Sequence, residues 1–197
     1  GARLFRRDST GCRRGSFYLS ICDQMLTFSQ KQHLYVSDKI KVANGAFDKI
    51  TNEAADGQGP VRVYLGAGST IYHLANILAE RSGPEGGLRY SICTHNLGAL
   101  RRLLEPGVNY GRLEIAVPRG RVDPVTYAVL GDPAEYARPG EFDYVIMGTS
   151  YVLDGRLYVE SALEAEVKGT LLRQLPGAKI LLLTKHEFTD QPLPGLR

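Results

Sequence analysis

The stretch VYLGAGSTIYHLANILAE, residues 63–80, joins an apolar run to a helical pattern through a short glycine loop. Glycines let the backbone adopt positive φ angles and approach a ligand closely. The loop then opens a helix, whose first amides and macrodipole attract an anion. The pattern therefore predicts an anion-binding loop made of Gly66, Ala67, Gly68, Ser69 and Thr70. A plain strand-to-helix turn capped by a hydroxyl side chain is the alternative.

The loop matches neither of two common phosphate motifs. No lysine follows Gly68, which excludes a Walker loop. Ile71 stands where the third glycine of a GxGxxG dinucleotide motif would be. Phosphate binding at this loop would therefore depend on the helix N-terminus and its hydroxyl side chains.

Short apolar runs alternate with helical patterns along the rest of the chain. Apolar residues recur at helical spacing in segments that begin near residues 37, 71 and 163. Strands that alternate with crossover helices are typical of a parallel sheet covered on both faces. The sequence therefore predicts an α/β fold with an open, mostly parallel sheet and helices on both faces. The first helical stripe is Ile40, Ala43, Phe47, Ile50 and Ala54, and the apolar runs are residues 61–65, 88–93, 113–117, 143–147 and 179–183.

Composition limits the class of protein. The chain has 197 residues, 43% of them hydrophobic, which suits one globular domain. No apolar run approaches the roughly 18 residues of a membrane span. The three cysteines include no CxxC pair, which favours free thiols in the cytoplasm. We therefore expect no membrane partner, no bound metal and no cofactor.

The N-terminal segment has a different composition from the rest. Five arginines fall within the first fourteen residues, against one acidic residue, Asp8. Such a cluster would contact nucleic-acid phosphates or form a solvated terminus. We expect residues 1–36 to be a basic linker and irregular segment, and residues 37–197 to form the ligand-binding domain.

Five separated blocks resemble the effector-sensing domain of DeoR-type sugar-responsive repressors, over roughly residues 37–189. The resemblance implies the fold shared by ribose-5-phosphate isomerase and CoA transferases, and a phosphorylated sugar or related metabolite as the effector. It also implies a homo-oligomer, and operator DNA bound only through a winged helix that these residues do not include. The blocks are GAGSTIYHLANILAER, ICTHNLGAL, PRGRVDPVTYAVLG, FDYVIMGTSYVLDGRLYVESALEAEVKGTLL and ILLLTKHEF.

The resemblance also implies which residues contact the effector. The chain departs from the family pattern at Ser150, where an aspartate is usual, and at residues 184–187, where an Asp-Ser-Ser-Lys-like segment is usual. Lys185 is a candidate replacement for that late lysine. His95 and His73 are expected to be packing or surface residues. The expected ligand-binding residues are Gly66, Ala67, Gly68, Ser69, Thr70, Thr94, Asn96, Arg119, Gly120, Ser150, Glu164, Lys168 and Lys185.

Catalysis is the competing interpretation. Isomerases of this fold need a carboxylate to move a proton between carbons, and here Val167 precedes Lys168 where a glutamate is usual. Glu164 is the remaining carboxylate, although its spacing from Lys168 also suits an exposed salt bridge. We expect a regulatory domain that is not an enzyme. The alternative is a sugar-phosphate isomerase that uses Glu164 as its base.

Overall fold

The computed structural model of the chain describes residues 26–54, 59–81, 88–105, 107–108, 111–132, 142–159, 161–175 and 177–190. Residues 1–25 of the predicted N-terminal segment, with the arginine cluster, Cys12 and Cys22, lie outside these residues. The boundary proposed at residue 36 therefore stays a prediction.

Nine strands and five α-helices make up the described chain, together with a 3-10 helix at Lys185–Glu187. The strands are β1 Val61–Leu65, β2 Tyr90–Thr94, β3 Leu113–Ala116, β4 Arg121–Asp123, β5 Ala128–Leu130, β6 Tyr144–Met147, β7 Tyr151–Leu153, β8 Arg156–Tyr158 and β9 Ala178–Leu181. The α-helices are α1 Phe28–Lys31, α2 Val36–Ala54, α3 Ser69–Arg81, α4 Leu97–Leu103 and α5 Ala162–Gln174.

Five strands form one parallel sheet in the order β3-β2-β1-β6-β9. Helix α3 connects β1 to β2, α4 connects β2 to β3, and α5 lies between β6 and β9. All five predicted apolar runs became sheet strands, with ends that differ by at most two residues. The predicted open, mostly parallel α/β sheet is confirmed.

Both faces of the sheet are covered. Val63 and Leu65 of β1 point to one face and pack with α2, α3 and α4. Tyr64, between them, points to the other face and packs with Val167 and Leu171 of α5. Alternate side chains of a strand lie on opposite faces, so a sheet buried on both sides has almost entirely apolar strands.

Two hairpins and the short helices α1 and α4 were not predicted. Strands β4 and β5 pair antiparallel, as do β7 and β8, outside the main sheet. Asp154 and Gly155 form the turn between β7 and β8 with φ angles of 49° and 72°, as an Asp-Gly hairpin requires. Helix α4 begins after Asn96, which caps it by accepting from the Gly98 and Ala99 amides. Within the described ranges, no helix is long and apolar enough to cross a membrane.

Candidate ligand-binding site

A pocket of about 310 Å³ opens at the carboxyl ends of β1 and β6. These are the strands between which the sheet order reverses, because the chain proceeds outward from β1 in one direction and from β6 in the other. Open α/β sheets bind their ligands at such a switch point. One side of the pocket is residues 68–70, after β1, and the opposite side is residues 148–151, after β6.

Gly68, Ser69 and Thr70 of the glycine loop line this pocket, whereas Gly66 and Ala67 do not. Gly66 donates its amide to the Ile146 carbonyl at 2.9 Å, and a Cβ at Gly66 would lie 3.2 Å from the same oxygen. Gly68 has a φ of 131°, which side-chain-bearing residues rarely adopt. Ser69 and Thr70 are buried and begin α3. The amides of the first helical turn have no helix carbonyl to bond, so they are suited to an anion.

We expect Gly68→Ala to reduce the free energy of phosphate binding by more than it reduces the free energy of unfolding. No atom lies within 4 Å of a Cβ at this position, so the variant is strained by its φ of 131° and not by a clash. Strain of this kind costs about 1–3 kcal/mol and is relieved when the loop changes conformation. Calorimetric titration with inorganic phosphate, alongside urea unfolding, measures both effects. Gly45→Ala, in the interior of α2 with equally open space, is the control.

Lys39 is a pocket residue that the sequence analysis did not name. It belongs to α2, is only 4% exposed, and lines the pocket beside the glycine loop. Its Nζ donates to the Ser69 Oγ at 2.9 Å and to the Lys31 carbonyl at 2.6 Å. An ammonium has three N–H donors, and the described residues accept from two of them. Lys39 therefore brings a positive charge to the start of α3.

Burial lowers the pKa of Lys39 from 10.5 to about 8, against the opposing effect of Glu187. Burial disfavours the charged form of a lysine, because the ammonium loses its hydration. A bound anion would compensate for that loss. A buried cation next to helix amides indicates a site for a negatively charged group.

Glu164 and Lys168 form an ion pair inside the pocket. The Glu164 Oε1 lies 2.8 Å from the Lys168 Nζ, and the two side chains are only 7% and 10% exposed. Lys168 also donates to the Gly148 carbonyl at 2.8 Å. The sequence alternative of an exposed salt bridge is therefore wrong. Both residues line the pocket, so the pair places a carboxylate and an ammonium within it.

Thr94 and Asn96 lie beneath the glycine loop, fully buried. The Thr94 hydroxyl donates to the Leu65 carbonyl at 2.8 Å. The Asn96 side-chain amide donates to the Gly68 carbonyl at 2.9 Å, while its oxygen caps α4. Neither residue lines the pocket. Both support the loop in this structure, and their direct contact with a ligand stays a prediction.

His95 also supports the loop. Its ring is buried and its Nε2 accepts from the Ala67 amide at 2.9 Å, while Nδ1 contacts the Tyr64 hydroxyl. An amide can only donate, so a neutral ring must carry its proton on Nδ1. Burial lowers the pKa of His95 to about 3, and the charge of Lys168 adds to the effect. His95 is therefore neutral, which agrees with the packing role expected from the sequence.

The remaining predicted residues divide between the pocket and the surface. Ser150 lines the pocket, with its amide bonded to the Tyr158 carbonyl at 2.9 Å. Arg119, Gly120 and Lys185 are exposed and do not line it. In place of Lys185, the 3-10 helix directs His186 and Glu187 towards the pocket. Ligand contacts by the three exposed residues stay predictions. Within the described residues, no group of three or more His, Cys, Asp or Glu side chains could hold a metal ion.

Comparison with known proteins bears on the fold alone. No protein-family model and no curated protein matches the chain. A solved D-ribose-5-phosphate isomerase in complex with phospho-erythronic acid is 13% identical, with a TM-score of 0.49, and the match covers 79% of this chain and 55% of that one. Ribose 5-phosphate isomerase A from Methanocaldococcus jannaschii is 15% identical, with a TM-score of 0.47 and the same coverage. The eIF2B delta structure from Chaetomium thermophilum is 12% identical, with a TM-score of 0.49, and the match covers 79% of this chain and 50% of that one.

The chain therefore spans about half the length of the structures it resembles. The expectation that the chain is not an enzyme is contradicted, since two of these three structures are isomerases. Membership of the DeoR-type family is not confirmed and stays a prediction. The chain has an α/β fold similar to that of ribose-5-phosphate isomerases, with a pocket at the switch point of its sheet.

Proposed function

We propose that this pocket binds a phosphorylated sugar or a related phosphorylated metabolite. The observation that carries the proposal is the position of Lys39, whose buried Nζ lies 2.9 Å from the Ser69 Oγ at the start of α3. The phosphate would accept from the first amides of α3, the hydroxyls of Ser69 and Thr70, and Lys39. Glu164 and Lys168 would then contact the hydroxyls of the sugar.

A thermal-shift assay with ribose 5-phosphate, and with ribose as the unphosphorylated control, tests the proposal. A ligand at 100 times its Kd stabilises the folded state by about 2.7 kcal/mol. For a domain of this size that is roughly 5–10 °C in Tm. Ribose should give no shift. Equal shifts with both sugars, or none with a panel of phosphorylated sugars at millimolar concentration, would contradict the proposal.

The use that we propose for this binding is regulatory. The five sequence blocks that resemble DeoR-type effector domains support it. The ligand would bind two quaternary arrangements with different affinities and so change the population able to hold DNA. A mobility-shift assay on the full-length gene product and its own upstream DNA, with and without ligand, tests this role. Ligand-independent retardation, or no retardation at all, would count against it.

Isomerase activity is the second candidate, and the buried Glu164 favours it. A carboxylate beside an ammonium, screened from water, can move a proton between adjacent carbons of a sugar phosphate. The test is the conversion of ribose 5-phosphate to ribulose 5-phosphate, followed in the unmodified chain and in Glu164→Gln. Turnover that is lost in Glu164→Gln would show that the chain is an isomerase and that Glu164 is required for the reaction. Turnover unchanged in Glu164→Gln would exclude Glu164 as the base.

The affinity for an anion should change with pH as the Lys39 side chain loses its proton. Lys39 is fully charged well below its pKa of about 8 and loses its charge above it. Sulfate stays a dianion across this range, so its affinity should be constant near pH 7 and fall above pH 8, by up to about tenfold per pH unit. Calorimetric titration with sulfate from pH 7 to 10 measures the curve. A flat curve would show that Lys39 is not a ligand.

The contribution of Lys39 to the free energy of unfolding should rise with pH, whereas its contribution to anion binding falls. The unfolded chain keeps the Lys39 proton up to pH 10.5, whereas the folded chain releases it above about 8. The unfolded state therefore binds more protons in this window, so the contribution of Lys39 to stability rises with pH. Below pH 8 the lysine is charged in both states and the cost of burying it is present in full.

A further inference from the structure

We propose that the ligand is a nucleoside monophosphate, in which the phosphorylated ribose carries a planar aromatic base. This inference rests on the proposed function of the pocket, because it takes the phosphate site from there. It adds an occupant for a second part of the pocket lining, the wall formed by residues 26–35, which is apolar and aromatic. A bare sugar phosphate would leave that wall facing water.

One segment of the chain, residues 26–35, builds the apolar wall. Leu26, Phe28, Leu34 and Tyr35 line the pocket, and Leu34 and Tyr35 are 39% and 38% exposed. Phe28 is held in place by Tyr127, whose ring centroid lies 5.4 Å away at 29°. A sugar has a hydroxyl on almost every carbon and loses hydration against such a wall without gaining hydrogen bonds. An aromatic base would bury the same surface favourably.

A stacked pair of rings stands at this wall. The Tyr35 and His186 centroids are 3.5 Å apart at an interplanar angle of 7°, and the His186 Nε2 lies 2.9 Å from the Asp38 Oδ2. Tyr35 has a φ of 54°, which non-glycine residues rarely adopt and which the surrounding contacts must maintain. Stacking of a base on an aromatic side chain is worth about 1–3 kcal/mol and tolerates different bases. Each ring covers one face of the other, so a base would stack on an outer face of the pair.

The pocket joins the two kinds of surface in one cavity. Ser69 and Lys39 belong to the part of the pocket that would bind the anion, while Leu34 and Tyr35 belong to the apolar wall. A volume of about 310 Å³ is at the lower end of the range for drug-sized ligands and exceeds what a phosphate alone would fill. A ligand that matches both surfaces has a phosphate at one end and a flat apolar group at the other.

Adenosine 5′-monophosphate and ribose 5-phosphate form a matched pair for the test, because they differ only in the base. We expect adenosine 5′-monophosphate to bind at least tenfold more tightly, as measured by calorimetric titration. Tyr35→Ala should lower that affinity by about tenfold and leave the affinity for ribose 5-phosphate unchanged. Leu34→Ser tests the wall separately from the strained backbone at Tyr35, and it should show the same selective loss.

Leu104→Ala is the control, because Leu104 is 53% exposed and lies outside the pocket. It should leave both affinities unchanged. Equal affinity for the two ligands in the unmodified chain would overturn the inference while the proposed function stands. An equal loss for both ligands in Tyr35→Ala and Leu34→Ser would also overturn it. Binding of neither ligand would instead be a failure of the proposed function.

Discussion

Glu164→Ala is expected to lower the free energy of unfolding by about 3–5 kcal/mol. The substitution leaves the Lys168 ammonium buried without the carboxylate that lies 2.8 Å from it. The Gly148 carbonyl would remain as a hydrogen-bond partner of Lys168, but it carries no charge. Breaking one side of a buried pair costs far more than the pair contributes, because the remaining charge keeps its desolvation penalty. Urea unfolding at pH 7 measures the loss.

Two variants separate this mechanism from general damage to α5. Glu166→Ala changes an exposed glutamate on the same helix and should shift stability by less than about 0.5 kcal/mol. Glu164→Leu combined with Lys168→Met removes both charges and should recover most of the stability lost in Glu164→Ala. A Glu164→Ala variant as stable as Glu166→Ala would show that the pair is not buried in solution.

Lys39→Met is expected to weaken the binding of ribose 5-phosphate by about 10- to 100-fold, which is the effect of losing one hydrogen bond to a charged group. Methionine keeps the length of the side chain and removes its charge. The free energy of unfolding should stay within about 1 kcal/mol of the original value, because the lost hydrogen bonds are offset by the removal of a buried charge. Calorimetric titration and urea unfolding measure the two effects.

Lys41→Met is the matched control for Lys39→Met. Lys41 lies on the same helix, its side chain is 76% exposed, and its ion pair with Asp38 spans 4.0 Å. Exposed pairs of this kind contribute little, so neither binding nor stability should change measurably. If Lys41→Met weakened ribose 5-phosphate binding as much as Lys39→Met, the effect would come from net charge and not from a contact in the pocket.

The sheet was predictable because its signal is local. The runs at 61–65 and 143–147 are apolar at nearly every position, as strands buried on both faces must be. The Asp-Gly turn of the β7–β8 hairpin was visible at residues 154 and 155, but the flanking strands have three residues each and show no clear alternation. Helix α4 has seven residues, too few to establish a helical period.

The site was predictable only in part. The glycine loop follows from its own residue types, and the structure places Gly68, Ser69 and Thr70 in the pocket. Glu164 and Lys168 were named from the family resemblance, whereas their spacing alone suggested an exposed pair. The sequence analysis missed Lys39 because it placed the first residue of the apolar stripe of α2 at Ile40, one residue too late. Ile40 is 41% exposed, and Lys39 occupies the buried position one turn before Ala43.

The sequence by itself determined the five strands of the main sheet, helices α2, α3 and α5, and the glycine loop, because these depend on residues close together in the chain. Only the tertiary structure decided that Lys39, 30 residues before Ser69, lies beside it, and that Glu164 is buried. Both depend on which helix faces cover which strands. Charge and solvent exposure at a site are set by that packing, and a one-dimensional pattern does not contain the distances from which they arise.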